Sequence, residues 1–246
     1  MSQRLTLIDA LRGFAVVMMI VYHFCFDLVY FGWAKWAMLT DPAWISWRNA
    51  IVTTFLLVSG ISLGLRSLAQ EPLPAWVFRR VFMRRWLQVA GAALLVSAGS
   101  AMMFPASFIY FGVLHFVAVA LLLGSFTAQL RAWNVLLGAA VLGAGWLFSS
   151  DAFNPTYLNW IGFATKKPFT EDYVPLVPWL GVFFIGLGIT PWAARIAQAW
   201  AKSPKSAITT SALNRLSLLG RYSLSIYLLH QPVIIAALAC VKKVLG

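Results

Sequence analysis

Apolar stretches about twenty residues long follow one another along this chain with little between them, and a hydrocarbon layer roughly 30 Å thick takes about 20 helical residues to cross. The first, Gly13 to Phe31, holds only His23 and Asp27 as ionisable interruptions apart from its tyrosines and a cysteine. Composition agrees with a lipid solvent. Apolar residues make up 61% of the 246 and charged ones 11%, against the roughly 45–50% and 25% of soluble domains. The fold class predicted is all-α, a polytopic transmembrane helix bundle treated as one domain over residues 1–246. Seven spans are placed at 10–31, 47–65, 86–104, 109–127, 133–149, 175–193 and 221–241. The connection from Ser150 to Val174 is the main segment outside them. The first run lacks a small-residue cleavage site, so it reads as a retained span and not a signal peptide.

The net charge is +12, but without a long basic run it reads as basic cytoplasmic loops, and nucleic acid is excluded as a partner. With the N-terminus cytoplasmic, thirteen of the nineteen Lys and Arg fall inside: Arg4, Arg12, Arg66, Arg79, Arg80, Arg84, Arg85, Arg131, Arg195, Lys202, Lys205, Arg215 and Arg221. Lys35, Arg48, Lys166, Lys167, Lys242 and Lys243 fall outside. Membrane lipid is the expected surrounding, and self-association is left open. The two cysteines, Cys25 and Cys240, lie in apolar runs, so no disulfide framework or CxxC site is expected.

The first helix has a start signal, because Thr6 followed three residues later by Asp9 fits a capping box. At 100° per residue Arg12 and His23 lie about 20° apart around the axis, with Asp27 one turn beyond. One face carries all three. At 1.5 Å per residue it runs about 16 Å, from the inner surface toward mid-membrane.

All three histidines of the chain, His23, His115 and His230, fall inside predicted spans at similar depth. Ionisable groups there usually face a cavity or one another, so the three are expected to converge. In the last span Ser223, Tyr227, His230 and Gln231, spaced i, i+4, i+7 and i+8, make one polar face, and Pro232 removes a backbone donor beside it. A carboxylate one turn from an imidazole can orient the ring, which points to His23 and Asp27 as an acid–base pair, with His115 and His230 as further catalytic candidates. A metal site is not expected, since these ligands come from three helices without a short ligand motif.

Two more clusters complete the candidates. Arg79, Arg80, Arg84 and Arg85 precede the third span, and with Arg12 they offer paired guanidinium hydrogen bonds to phosphates. Asp172, Tyr173 and Trp179 lie at the outer side of the sixth span and join Tyr227 and Gln231 as acceptor-binding candidates.

Five segments then become recognisable: RLTLIDALRGFAVVMMIVYHFCFDL from Arg4, FLLVSGISLGL from Phe55, FGVLHFVAVALLL from Phe111, DYVPLVPWLGVFFIGLG from Asp172 and LGRYSLSIYLLHQPV from Leu219. Together they resemble bacterial members of the heparan-alpha-glucosaminide N-acetyltransferase catalytic-domain family, within the transmembrane acyltransferase superfamily. The resemblance implies a multi-pass enzyme of the bacterial inner membrane. It would move an acetyl or other acyl group from cytoplasmic acyl-CoA, such as acetyl-CoA, to an amine or hydroxyl of an extracytoplasmic acceptor, a glycan foremost, without a metal. As aligned, the family's lysosomal enzyme has asparagine at the position of His23 and its histidine at that of Ala34, so the resemblance does not choose among the three histidines here. Two other functions fit the buried polar residues: a proton-coupled transporter using His and Asp as relays, and a non-catalytic subunit using them for helix packing.

Overall fold

The computed structural model describes residues 5–68, 75–204 and 206–245, with the side chains of 75–78, 207 and 245 excepted. Arg4 and Lys205, counted above as inward-facing, lie outside the described residues. The described chain is helical, with no strand: α1 (Thr6–Tyr30), α2 (Pro42–Leu68), α3 (Ala75–Met103), α4 (Val113–Thr127), α5 (Trp133–Leu147), α6 (Thr156–Asn159), α7 (Leu176–Gly188), α8 (Thr190–Lys202), α9 (Ala207–Arg221) and α10 (Ser223–Leu245). In lipid every backbone N–H and C=O must be satisfied within the protein, which is why such apolar segments become helices.

Five helices among the described residues are long and apolar enough to cross a bilayer, and α7 with α8 makes a sixth if the bent pair is counted as one span. Two of the seven stretches predicted as spans take a different form from the rest. The stretch at 133–149 forms a helix of only 15 residues, and the span predicted at 175–193 breaks at Ile189, where α7 and α8 meet at 56°. Thr190 and Pro191 explain the break. Proline cannot donate its backbone bond, and the Thr190 hydroxyl donates instead to the carbonyls of Leu187 at 2.8 Å and Gly186 at 3.3 Å.

The chain divides into two compact units, Leu56–Ile196 on one side and Gln3–Phe55 with Ala197–Gly246 on the other. In the first, α5 packs on α7 through Gly138 and Gly181, where a Cβ on either would stand 2.6 Å from the other's carbonyl oxygen. Small residues allow this approach, which supplies the van der Waals contact that lipid tails do not. Phe116, Phe183 and Leu56 fill the core with no exposed surface. The Trp86 indole N–H donates to the Ala118 carbonyl at 2.9 Å and ties α3 to α4.

In the second unit α1 lies against α9, whose backbone meets it at Gly13 and Gly220, and α10 runs along α1. Helix α9 is absent from the predicted spans because its sequence, AITTSALNRLSLLGR, is too polar for a hydropathy template. Ser206 caps it, its hydroxyl accepting from the Thr209 N–H at 3.1 Å. Met19, Tyr22, Met38 and Ile51 form the apolar centre, with Trp44 and Trp47 packed on it. Helix α10 continues through Pro232 without a break.

The capping box expected at Thr6 does not form. Helix α1 begins at Thr6 with Leu5 as its cap and no side-chain bond. Asp9 pairs instead with Arg12 at 2.9 Å, and Arg221 lies 3.8 Å from its other oxygen.

Candidate functional site

The second unit brings together five of the predicted residues, Tyr227 among them. Helix α1 supplies His23 and Asp27 one turn apart, and α10 supplies His230 and Gln231 in succession. Nε2 of His230 stands 3.3 Å from Nδ1 of His23, with ring centroids 4.9 Å apart. Backbone carbonyls set the proton positions. Nδ1 of His23 lies 3.0 Å from the Met19 oxygen and Nδ1 of His230 lies 2.7 Å from the Tyr227 oxygen. A carbonyl only accepts, so both Nδ1 atoms carry hydrogen in neutral rings. The single Nδ1 hydrogen of His23 is then shared between the Met19 carbonyl and His230 Nε2, and the lone pair on His23 Nε2 is left for an external proton. No described residue bonds that atom.

Asp27 is not the orienting partner of His23. Its Oδ1 accepts from Nε2 of Gln231 at 2.8 Å, and the His23 ring is held by Met19 and His230. Asp27 is buried, 2% exposed. Tyr227 stacks at a tilt on His230, with centroids 5.6 Å apart. Lower on the same face of α1, Arg12 donates to Asp9 at 2.9 Å and to the Gly220 carbonyl at 3.5 Å, so this candidate for phosphate binding also fastens α1 to α9.

His115 belongs to the first unit and has a different environment. The Gly112 N–H donates to its Nδ1 at 3.3 Å, which leaves the hydrogen on Nε2, 3.0 Å from the Ser97 hydroxyl. Ser97 in turn donates to the Ile109 carbonyl at 2.7 Å. Both imidazole nitrogens are thereby committed, and the ring helps close the first turn of α4. Sequence reading missed Ser97, for which no periodic signal existed.

The acceptor-side candidates of the same unit are also anchored. Oδ2 of Asp172 accepts from the Val113 N–H at 2.9 Å, placing a carboxylate at the N-terminus of α4. The Tyr173 hydroxyl donates to the Asn159 carbonyl at 2.7 Å, and the Tyr110 hydroxyl donates to the Asn159 side chain at 2.9 Å. Burial, reinforced by Tyr110, pushes the Tyr173 phenol from its ordinary 10.0 up to about 12. A raised acid pKa means that the folded state holds its proton after the unfolded chain has lost it. The stability this contributes is complete below pH 10 and drains away as pH rises toward 12. Melting curves on both sides of pH 10 are expected to show that loss in the wild type and less of it in Tyr173→Phe. Trp179 sits half-buried on α7. Arg79, Arg80 and Arg84 are exposed on the first turns of α3, and Arg85 donates to Gln88 at 3.4 Å.

No group of three or more metal-ligating side chains occurs among the described residues. The helices and their buried polar pairs define a multi-pass membrane protein. The sequence profile of the family described as heparan-alpha-glucosaminide N-acetyltransferase, catalytic, matches residues 4–232, and the chain belongs to that family. Neither a curated protein nor a solved structure matches it. Membership makes the protein a transmembrane acetyltransferase by class and gives no support to the transporter reading.

Proposed function

We propose that the protein transfers an acetyl or other acyl group from acyl-CoA to an amine or hydroxyl of an extracytoplasmic acceptor, a glycan foremost, across the bacterial inner membrane. The observation that carries this reading is the His23–His230 pair, in which one imidazole nitrogen of a membrane-buried couple is left with an open lone pair. His23 Nε2 takes the proton from the acceptor as its nitrogen or oxygen forms a bond to the thioester carbonyl carbon. The Nδ1 hydrogen of His23 then passes toward His230 Nε2, spreading the positive charge over two rings. The carbon–sulfur bond breaks and the CoA thiolate leaves, taking back as free thiol the proton that the histidine pair received from the acceptor, which returns both rings to their neutral form. His230 acts here as a relay, because its Nε2 accepts a bond and has no hydrogen to offer an oxyanion. His115, with both nitrogens engaged, serves the structure of α4. The guanidinium groups at the start of α3 suit the phosphates of CoA.

Thermal melting of the purified protein tests donor binding directly. Acetyl-CoA at a hundred times its Kd is expected to add about 2.7 kcal/mol to stability. Absence of a shift with acetyl-CoA and with longer acyl-CoAs alike removes the donor from the proposal.

A further inference from the structure

Gln231 donates from Nε2 to Oδ1 of Asp27 at 2.8 Å. The other oxygen of each group, Oδ2 of Asp27 and Oε1 of Gln231, is buried and has no partner. In an ionised carboxylate and an amide both atoms are acceptors only. No donor of the described residues reaches them, and Asp27 has no ion pair. On the two helices His23 and Tyr30 lie one turn to either side of Asp27, and Tyr227 and His230 precede Gln231; the imidazole Nδ1 hydrogens lie toward Met19 and His230 for His23 and toward Tyr227 for His230.

A carboxyl and a carboxamide already joined by one bond need a single hydrogen to close the ring between their two remaining oxygens. We infer that Asp27 is neutral and donates an O–H from Oδ2 to Oε1 of Gln231, forming a closed acid–amide pair between α1 and α10. One proton satisfies both orphaned atoms and removes a bare charge from the membrane interior, where neither is tolerated cheaply. The pair sets helix register at the site. Asp27 lies one turn after His23 and Gln231 follows His230, so locking the first couple holds the second in hydrogen-bond reach. Asp27 is therefore a positioning residue. With no carboxylate charge beside them, the imidazoles owe their proton affinity to each other and to the backbone. This arrangement does not depend on what the protein transfers, and it is read without a substrate.

Infrared spectra of the purified wild type at neutral pH are expected to contain the carbonyl stretch of a protonated carboxyl that shifts in heavy water and disappears in Asp27→Asn. The Asn amide offers a donor and an acceptor in the same places, so this variant is expected to keep the wild-type melting temperature and the ¹⁵N resonances of the two Nδ1–H imidazoles. Asp27→Leu, of similar size with neither group, is expected to melt lower and to move those resonances. A wild-type spectrum without the band, or an Asp27→Asn protein melting as low as Asp27→Leu, overturns the pair. Should the Leu variant fail to fold, the band and the Asn variant still decide.

Discussion

His23→Ala is expected to slow acyl transfer by about 10²- to 10⁴-fold, the usual range for a lost general base, while acetyl-CoA still raises the melting temperature as it does in the wild type. The first effect follows from the open lone pair on His23 Nε2. The second follows because the ring makes no contact that the donor's phosphates would need. Release of free CoA thiol from acetyl-CoA in the presence of an acceptor measures the rate. His230→Ala should have a smaller effect, since it removes the second ring of the relay and leaves the atom that takes the proton. An unchanged rate in His23→Ala would mean that the base lies elsewhere.

Replacing either glycine at the crossing of α1 and α9 should do the greatest damage to the fold. A Cβ on Gly13 would run into the Leu216 carbonyl, and one on Gly220 into the Asp9 carbonyl. Backbone on both sides of the contact cannot swing away as a side-chain tip can, so the helices must part. Overpacking of this kind costs about 1–3 kcal/mol, and contact with a rigid backbone belongs at the upper end. The same parting pulls Arg12 from the Gly220 carbonyl and Asp9 from Arg221. Gly13→Val and Gly220→Val are therefore expected to lower the melting temperature sharply or to abolish folded protein on expression. Gly91→Ala and Gly99→Ala in α3 provide the contrast. Nothing lies within 4 Å of a Cβ there, and relief from glycine's backbone entropy is worth about 0.5–1 kcal/mol in a helix interior. Equal losses at both kinds of site would show that helix crossing is not what these glycines serve.

The helical class and the approximate sites of α1, α2, α3, α4 and α10 were legible, because hydropathy over about twenty residues depends on composition alone and not on neighbours. The break at Ile189 was passed over although Thr190 and Pro191 are plain in the sequence, since a window average smooths over a single missing donor. Helix α9 was invisible for the opposite reason. Its apolar face is narrow, and what marks it is its close backbone approach to α1 at Gly220, which a hydropathy window does not see. In the site, the angular argument put His23 and Asp27 on one face of α1 correctly, because 3.6 residues per turn is a local property. What it could not supply was the identity of the partners. Asp27 was expected to serve His23, yet the group that reaches its carboxyl is Gln231, 204 residues away in sequence.

Residue order alone determined that this chain is a membrane-spanning helical protein, placed His23 and His230 within such helices, and carried the motifs by which its family is matched over residues 4–232. The folded chain decided which polar groups meet: the Gly112 N–H reaches His115, and His23 faces His230. Helix formation in lipid is dictated by each segment's own backbone and side chains. Pairing between helices instead depends on ångström-scale register between elements far apart in sequence, and no local pattern encodes that register.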